Sequence, residues 1–276
     1  MNVLIGTAGY AYPAWVGGFY PRGTTQHNML PFYAARFPAV EINSSFYRPP
    51  TREQVAKMAR RVPPGFGFTF KVPKSVSHER RDDDLPEFKS GVDRLAASGA
   101  LLGLVFQVPE AFHNTPDNRA WLVRVGADLK PHRVAVEFRH RSWDAPNLCA
   151  WMEHVGLDVV SVGVPDVPSL FPSGLRVANR RVYVRLHSQN AENWYQDGKL
   201  RYNYDYTEGE LSDWAGGLKA IAERGEADEA LFFFNNCVGA QAAENAARFS
   251  AVLRAAGAGV RVTDPPQPPS LFADDL

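Results

Sequence analysis

The sequence is poor in cysteine, with only Cys149 and Cys237 among its 276 residues. Their separation matches no metal-binding spacing, and two thiols do not make a disulfide framework in a chain of this length. Such cysteine usage is typical of a reducing compartment, so we expect a cytoplasmic protein. The first residues, MNVLIGTAGY, lack the basic segment and long apolar run of a secretory signal, which agrees with that expectation.

Net charge and long apolar segments are also missing. Lys and Arg total 30, and Asp and Glu total 30, so no overall field would steer the protein towards nucleic acid or an anionic membrane. No run of about 18 apolar residues occurs, and therefore no membrane-spanning helix is predicted. The chain does contain material for a large core, because 45% of its residues are hydrophobic and 12% are aromatic.

Eight short apolar runs recur along the chain, and each ends in polar residues followed by a loop. They are residues 3–7, 39–43, 67–71, 104–107, 134–138, 158–162, 182–186 and 230–235. Stretches with helical spacing separate most of them, although the connection PDVPSLFPSG has too many prolines for a long helix. Strands that alternate with helices indicate parallel βαβ units.

Eight such units in about 250 residues predict an α/β protein with a (β/α)8 TIM barrel. We expect one domain over residues 1–262 with an irregular sixth helix, followed by a Pro-rich, flexible tail over residues 263–276. An open doubly wound sheet is the main alternative. That fold usually carries a glycine-rich phosphate turn after its first strand, and GTAGYAYP lacks this pattern.

Polar side chains follow the apolar part of most predicted strands. Alternate residues of a strand share a face, so the polar members should point inwards, opposite an apolar stripe that faces the helices. They are Glu41, Asn43, Lys71, Gln107, Glu137, Arg139, Arg185 and His187, with Asn235 and Asn236 near the last strand. Barrel enzymes place their active sites at this end, so we expect a ligand or reaction site here. A network of ion pairs that only fixes the strands is the structural alternative.

Several sequence blocks resemble one known family. The matching blocks are GTAGYAYPAWVGGFYP, VEINSSFYRPP, FTFKVPKSVSH, LGLVFQVPEAF, VAVEFRHRSW, YVRLHS and FNNCVGAQAAENA. Through them the chain, from Gly6 to about Asn245, resembles the domain of unknown function 72, or YecE-like, family. The resemblance implies a (β/α)8 barrel and a set of mouth residues, but it names no reaction because the family has no settled activity.

The family pattern also marks individual positions of this chain. They are Gly6, Thr7, Gly9, Glu41, Asn43, Phe46, Tyr47, Lys71, His78, Gln107, Glu137, Arg139, His140, Trp143, Arg185, His187, Asn235 and Asn236. The chain departs from the pattern at Ala8, Tyr10, Ser188 and Cys237, where Ser, Trp, Gly and Asp are common. The last departure removes a carboxylate near the mouth.

The predicted cluster suits acid–base chemistry. Glu41 and Glu137 are the predicted catalytic pair, because two carboxyl groups of different pKa can divide the roles of acid and base. His187 and His140 are the expected proton shuttles. We therefore expect an enzyme of the hydrolase, isomerase or lyase type.

The same cluster predicts an anionic substrate, such as a phosphorylated sugar or a nucleotide derivative. Lys71, Arg139 and Arg185 are expected to hold its phosphate or carboxylate group. The other expected substrate-binding residues are Thr7, Asn43, Tyr47, Gln107, Trp143, Asn235 and Asn236. No cofactor is predicted. A divalent metal is the less favoured option, because no H-E-x-x-H spacing occurs and the neighbouring cations would oppose it.

The alternative function is nucleic-acid binding or an association with DNA repair. Basic residues between 48 and 61, together with Arg80 and Arg81, could contact phosphates while loop aromatics stack on bases. The tail segment QPPSLF, residues 267–272, is similar to the short peptides by which bacterial replication and repair proteins dock on the sliding clamp. It predicts that the tail binds a partner protein.

Overall fold

The computed structural model describes residues 1–196, 198–257 and 259–267. Nine parallel strands form one sheet in these residues. They are β1 (Asn2–Thr7), β2 (Ala39–Ile42), β3 (Gly67–Lys71), β4 (Leu101–Gln107), β5 (Val134–Glu137), β6 (Asp158–Gly163), β7 (Arg181–Leu186), β8 (Glu229–Phe234) and β9 (Arg261–Val262). Each of the eight apolar runs overlaps a strand, and the two-residue strand β9 is an addition that periodicity did not predict.

Helices connect most of the strands. They are α1 (Gln26–Ala34), α2 (Arg52–Ala59), α3 (Lys74–Ser77), α4 (Leu85–Ala96), α5 (Pro116–Asp128), α6 (Leu148–His154), α7 (Gly198–Arg201), α8 (Glu208–Glu223) and α9 (Gln241–Ala255). Capping boxes start α2 at Thr51 and α8 at Thr207, so local side-chain bonds fix where both helices begin. Residues 164–180, which contain the Pro-rich connection, form turns without a helix. No helix of the described ranges is long and apolar enough to cross a membrane.

The sheet curls without closing, so the predicted closed (β/α)8 barrel is wrong. The strand order is β2-β3-β4-β5-β6-β7-β8-β1-β9, which leaves β2 and β9 at the two edges. A closed barrel requires a hydrogen-bonded ladder between β1 and β2. In the described residues this seam contains only the isolated bridge between Ala8 and Glu41, where Gly9 N donates to Glu41 O at 2.7 Å.

Two features take the place of a ladder along the seam between β1 and β2. The strand β9 pairs with Asn2 and Val3 and so covers the start of the free edge of β1. Further along, the Tyr33 hydroxyl accepts a hydrogen bond from Thr7 N at 2.8 Å and donates one to Ala39 O at 3.1 Å. A side chain from α1 thus supplies the bonds that adjacent strands would otherwise make. Strand counting cannot reveal this, because each strand looks normal in the sequence.

The carboxyl-terminal tail leaves the sheet after β9. Thr263 N donates to Val3 O at 2.9 Å, so the first residue of the predicted tail continues the pairing beside β1. Arg254 and Asp264 form an ion pair at 2.6 Å on the surface. Residues 268–276, and with them most of the predicted docking segment, lie outside the described residues.

Two Gly→Ala substitutions, one at the seam and one in a helix, should have opposite effects on the free energy of unfolding. At Gly6 a Cβ atom would lie 2.1 Å from Ala39 O, so Gly6→Ala must displace backbone and should lower the free energy of unfolding by roughly 1–3 kcal/mol. At Gly216, inside α8, an added Cβ meets nothing within 4 Å. Gly216→Ala should therefore raise the free energy of unfolding by about 0.5–1 kcal/mol. Urea denaturation measures both, and a Gly6→Ala variant of native stability would contradict the tight seam.

Candidate functional site

Arg185 lies at the centre of a buried cluster inside the curled sheet. Its guanidinium, on β7, is 1% exposed and contacts carboxylates from two other strands. Nε and Nη2 donate to Glu41 Oε1 at 3.0 and 2.6 Å, and Nη1 donates to Glu137 Oε2. One arginine thereby joins β7 to β2 and β5 across the interior.

The remaining oxygens of the two carboxylates are also engaged. Glu41 Oε2 accepts a hydrogen bond from the Tyr183 hydroxyl at 2.7 Å. Glu137 Oε1 lies 2.7 Å from Arg139 Nη2 and 3.2 Å from His187 Nε2. Both carboxylates are fully buried and depend on these partners for their charge.

The buried cluster fixes the protonation state of two of its members. Burial alone would raise the pKa of Glu137, but the charges of Arg139 and Arg185 hold that pKa well below its ordinary value. Burial lowers the pKa of His187 to about 3, so its ring is neutral. Asn235 Nδ2 lies 2.8 Å from His187 Nδ1, which fits a neutral ring that accepts at Nδ1 and carries its proton on Nε2, 3.2 Å from Glu137 Oε1.

A cavity of about 390 Å³ lies above the buried cluster, at the carboxyl ends of the strands. Its lining includes the cations Lys71, Arg139, Arg185 and Lys199, the amides Asn43, Gln107 and Asn235, and the aromatic residues Tyr12, Phe46, Tyr47 and Tyr202. Among the described residues that line it, none is a carboxylate. We call this space the strand-end cavity.

Lys71 is the last residue of β3 and reaches into the strand-end cavity. Nζ donates to Gln107 Oε1 at 2.7 Å and lies 3.9 Å from the centre of the Phe46 ring. Burial and the charges of Arg185 and Arg139 lower the pKa of Lys71 to about 7. The amine therefore titrates near neutral pH, which is unusual for lysine.

Arg139 borders the same cavity and has unused hydrogen-bonding capacity. Its Nη2 contacts Glu137, while its buried Nε has no hydrogen-bond partner in the part of the chain that the structure describes. The guanidinium carbon lies 5.9 Å from the centre of a Trp194 ring. Arg139 is thus held in place by one carboxylate, and its guanidinium, which lines the cavity, could bind an anion.

A family model described as "Protein of unknown function DUF72" matches residues 4–270. The chain belongs to the DUF72 family. It is 28% identical over 251 residues to the UPF0759 protein YunF of Bacillus subtilis (strain 168), a match that covers 82% of this chain and 86% of YunF.

Crystal structures of two DUF72 proteins resemble the fold described above. One, from Thermotoga maritima MSB8, has a TM-score of 0.84 and 32% identity and covers 92% of this chain and 100% of its own. Another, from Enterococcus faecalis V583, has a TM-score of 0.80 and 26% identity, with coverages of 91% and 95%. The family resemblance predicted from the sequence blocks is confirmed.

Nine of the predicted site residues meet at the strand-end cavity or directly beneath it in this DUF72 member. They are Glu41, Asn43, Lys71, Gln107, Glu137, Arg139, Arg185, His187 and Asn235. Tyr47 lies at the rim with 83% of its surface exposed. Strand alternation placed these polar residues on one face, which is why they converge.

Thr7 and Asn236 do not line the strand-end cavity. Thr7 is fully buried at the seam, where its hydroxyl contacts that of Tyr33 at 2.9 Å. Asn236 is fully buried and donates to Tyr204 O at 2.7 Å and to Asn245 Oδ1 at 3.1 Å. Both hold the scaffold around the site, and neither has the substrate-binding position predicted for it.

His140 and Trp143 also lie away from the cavity. β5 ends at Glu137, so strand alternation no longer determines where these two side chains point. The His140 ring stacks on His113 with a centroid separation of 3.9 Å. Trp143 is fully buried, donates to Phe112 O at 2.7 Å and stacks on Phe138 at 4.2 Å. His140 therefore does not lie beside the buried cluster, and Trp143 is part of the hydrophobic core.

Sequence reasoning missed several residues of the site. Tyr183 contacts Glu41 and shares a strand face with Arg185, so alternation contained the signal for it. Tyr12 and Tyr202 come from loops and gave no periodic signal. Cys237 also lines the cavity, and burial raises the pKa of its thiol to about 12, so it is not a thiolate at neutral pH.

Two of the arginines suggested for nucleic acid, Arg80 and Arg81, have other contacts, and a metal site is not found either among the residues that the structure describes. No group of three or more His, Cys, Asp or Glu side chains that could hold a metal ion occurs in the described ranges. Glu79 forms ion pairs with Lys74 at 3.1 Å and with Arg81 at 2.7 Å. Arg80 lies 4.9 Å from the centre of the Trp121 ring. Arg80 and Arg81 therefore both contact other side chains of the protein.

Loss of the central arginine should destabilise the fold strongly at neutral pH. Arg185→Met leaves two buried carboxylates without their main cation, so the free energy of unfolding should fall by about 3–5 kcal/mol at pH 7. In the native protein the low pKa of Glu137 stabilises the fold above the unfolded pKa, and this contribution is lost as pH falls. In the variant, protonation relieves the unpaired charge, so the deficit should shrink as pH falls from 7 to 4.

Urea denaturation at several pH values measures this deficit. Arg180→Met is the matched control, because Arg180 precedes β7 and pairs with Asp228 at 2.7 Å on the surface. An exposed pair of this kind adds little stability, so the control should behave like the native protein at each pH. A deficit in Arg185→Met that did not change with pH would show that the carboxylates do not depend on Arg185.

Proposed function

We propose that this protein is an enzyme that binds an anionic small molecule, bearing a phosphate or carboxylate group, in the strand-end cavity. One observation carries the proposal: the cavity is lined by cationic donors, while the nearby carboxylates lie beneath it and are already engaged. Its volume of about 390 Å³ suits a small ligand.

The charge count of the site supports an anion. Arg139, Arg185 and Lys71 contribute three positive charges when Lys71 is protonated, and Glu41 and Glu137 contribute two negative ones. The donors of Arg185 bind the two carboxylates, so the direct ligand contacts would come from Arg139 and from Lys71 Nζ. These five residues carry one excess positive charge, and the lining also includes the cation Lys199, which favours a negatively charged ligand.

The proposal changes the roles that the sequence suggested for the carboxylates. A Glu137 with a strongly lowered pKa is a poor proton donor and a weak base near neutral pH. Glu41 and Glu137 instead serve to position Arg185 and Arg139. Phe46, Tyr47 and Tyr202 provide flat surfaces beside the cations, which suits a sugar or base attached to the anionic group.

Single-stranded nucleic acid is the second candidate ligand, because a separate surface groove is basic. Arg48, Lys57 and Arg61 line a cavity of about 350 Å³ beside α2, with Met58 and Pro50 as apolar walls. Binding of a fluorescent oligonucleotide that weakens steeply with added salt would favour this candidate. Absence of binding at low salt would remove it.

Sulfate binding, measured by isothermal titration calorimetry, tests the anion proposal, because the charge of sulfate is constant between pH 5 and 9. The folded pKa of Lys71 is about 7, and a bound anion stabilises its charged form. Affinity should therefore be highest below pH 7 and fall by up to about tenfold per pH unit above it. Arg139→Gln should weaken binding about 10- to 100-fold throughout, as expected for a charged hydrogen bond.

Two further variants separate the site from the surface. Lys71→Met should abolish the pH dependence of sulfate affinity, because it removes the titrating group. Lys74→Met is the matched control: Lys74 lies three residues away, on α3, and its side chain is 54% exposed. It should leave the pH profile unchanged. Sulfate affinity that is indifferent to both Arg139 and pH would overturn the proposal.

A further inference from the structure

We propose that Lys71 is a nucleophile that forms an imine with a carbonyl group of the bound anionic molecule. The inference rests on the proposed function, since the cationic residues around Lys71 would bring the substrate to it. It adds the chemical class of the substrate, an aldehyde or ketone that also carries a phosphate or carboxylate.

The position of Lys71 suits a reacting group. Its amine lies at the carboxyl end of β3, in the cavity, where Gln107 and the Phe46 ring hold it from two sides. In the part of the chain that the structure describes, no carboxylate lies within 4.0 Å of its Nζ atom. By contrast, Lys74, one turn further on, pairs with Glu79 at 3.1 Å.

The electrostatic surroundings make the amine available for attack. A lysine nucleophile must be neutral, and a nearby carboxylate would keep it protonated. For Lys71, burial and the charges of Arg185 and Arg139 outweigh the opposing charges of the buried Glu137 and Glu41, and its pKa is lowered to about 7. About half of the amine is then neutral at pH 7, compared with fewer than about one in a thousand for an ordinary lysine.

The proposed step balances without any further reactant. The Nζ lone pair attacks the carbonyl carbon, and the carbonyl oxygen takes up a proton to give a carbinolamine. Loss of one water molecule then forms the C=N bond, and the two hydrogens of that water come from the original ammonium group. The protonated imine keeps the single positive charge of the lysine, and no oxidant or reductant is needed.

The contacts of Nζ suit the product as well as the free amine. The Phe46 ring, 3.9 Å from Nζ, stabilises a cation through its π face, and a protonated imine is such a cation. Gln107 Oε1, 2.7 Å from Nζ, can accept the remaining N–H. Arg139 lines the same cavity and would hold the anionic end of the substrate.

Reductive trapping tests the imine on the full-length protein. The protein is incubated with glycolaldehyde phosphate and sodium cyanoborohydride, which adds hydride to an imine carbon, and the modified lysines are located by peptide mass spectrometry. We expect labelling of Lys71 at least about tenfold faster than of Lys74 at pH 7, because the amine of Lys71 titrates near 7 inside the cavity, whereas Lys74 is exposed and paired with Glu79. Labelling of Lys71 by glycolaldehyde, which carries no phosphate, should rise with pH to a half-maximum near 7, and the phosphate of glycolaldehyde phosphate should move the half-maximum to higher pH because a bound anion stabilises the charged amine.

Two lysine variants and an aldehyde without phosphate serve as controls for the labelling of Lys71. Lys71→Arg keeps the charge and removes the nucleophile, so it should lose the preferred label, while Lys74→Arg should retain it. Glycolaldehyde, which lacks the phosphate, should react with Lys71 more slowly than glycolaldehyde phosphate. Because the sites are mapped in the native protein, the test does not depend on any variant folding.

The outcomes separate this inference from the proposed function. Sulfate binding that depends on Arg139, together with equal labelling of Lys71 and Lys74 at every pH from 6 to 9, would overturn the imine and leave the anion site standing. Preferred labelling of Lys71 that is indifferent to the phosphate group, to sulfate competition and to Arg139→Gln would support the nucleophile and overturn the anion site.

Discussion

The bond of one arginine to two buried carboxylates is the constraint on which the interior depends. Arg185 contacts Glu41 from the edge strand β2 and Glu137 from the interior strand β5. In the described residues no ladder joins β1 to β2, so the contacts of Arg185 hold β2 from inside the sheet where backbone hydrogen bonds at the seam are few. Buried ion pairs add little net stability, because the desolvation of the charges offsets their attraction. In this protein the ion pairs fix the relative positions of three strands, β2, β5 and β7.

The same constraint determines the electrostatic character of the cavity above it. Burial is the largest cause of the low pKa of Lys71, and the charges of Arg185 and Arg139 lower it further. Glu41 and Glu137 oppose this shift but do not reverse it, because both carboxylates are paired with arginines. His187 behaves in a related way, since burial keeps it neutral beside a carboxylate that two arginines already satisfy.

The sequence allowed prediction of the strands and of the inward polar face, because both follow from local periodicity. It also predicted that Glu41 and Arg185, 144 residues apart, would lie close together. Closure of the sheet was predicted wrongly, both from the strand count and from the family resemblance. The actual structure of the seam depends on Tyr33 and on the two-residue strand β9, and neither has a periodic signature in the sequence. His140 and Trp143 were misplaced because the strand that would orient them ends before they begin.

Glu41 belongs to the seam and to the buried cluster at once. Its backbone oxygen accepts the Gly9 amide at the only bridge between β1 and β2 in the described residues, and its carboxylate binds Arg185. One residue therefore contributes both to the architecture of the sheet and to the charge of the pocket, which protein engineers can usually change separately. A redesign that alters specificity through this carboxylate would also alter how the scaffold is assembled. Gln107 and Phe46, which contact Lys71 away from the seam, offer ways to retune the pocket that leave the scaffold intact.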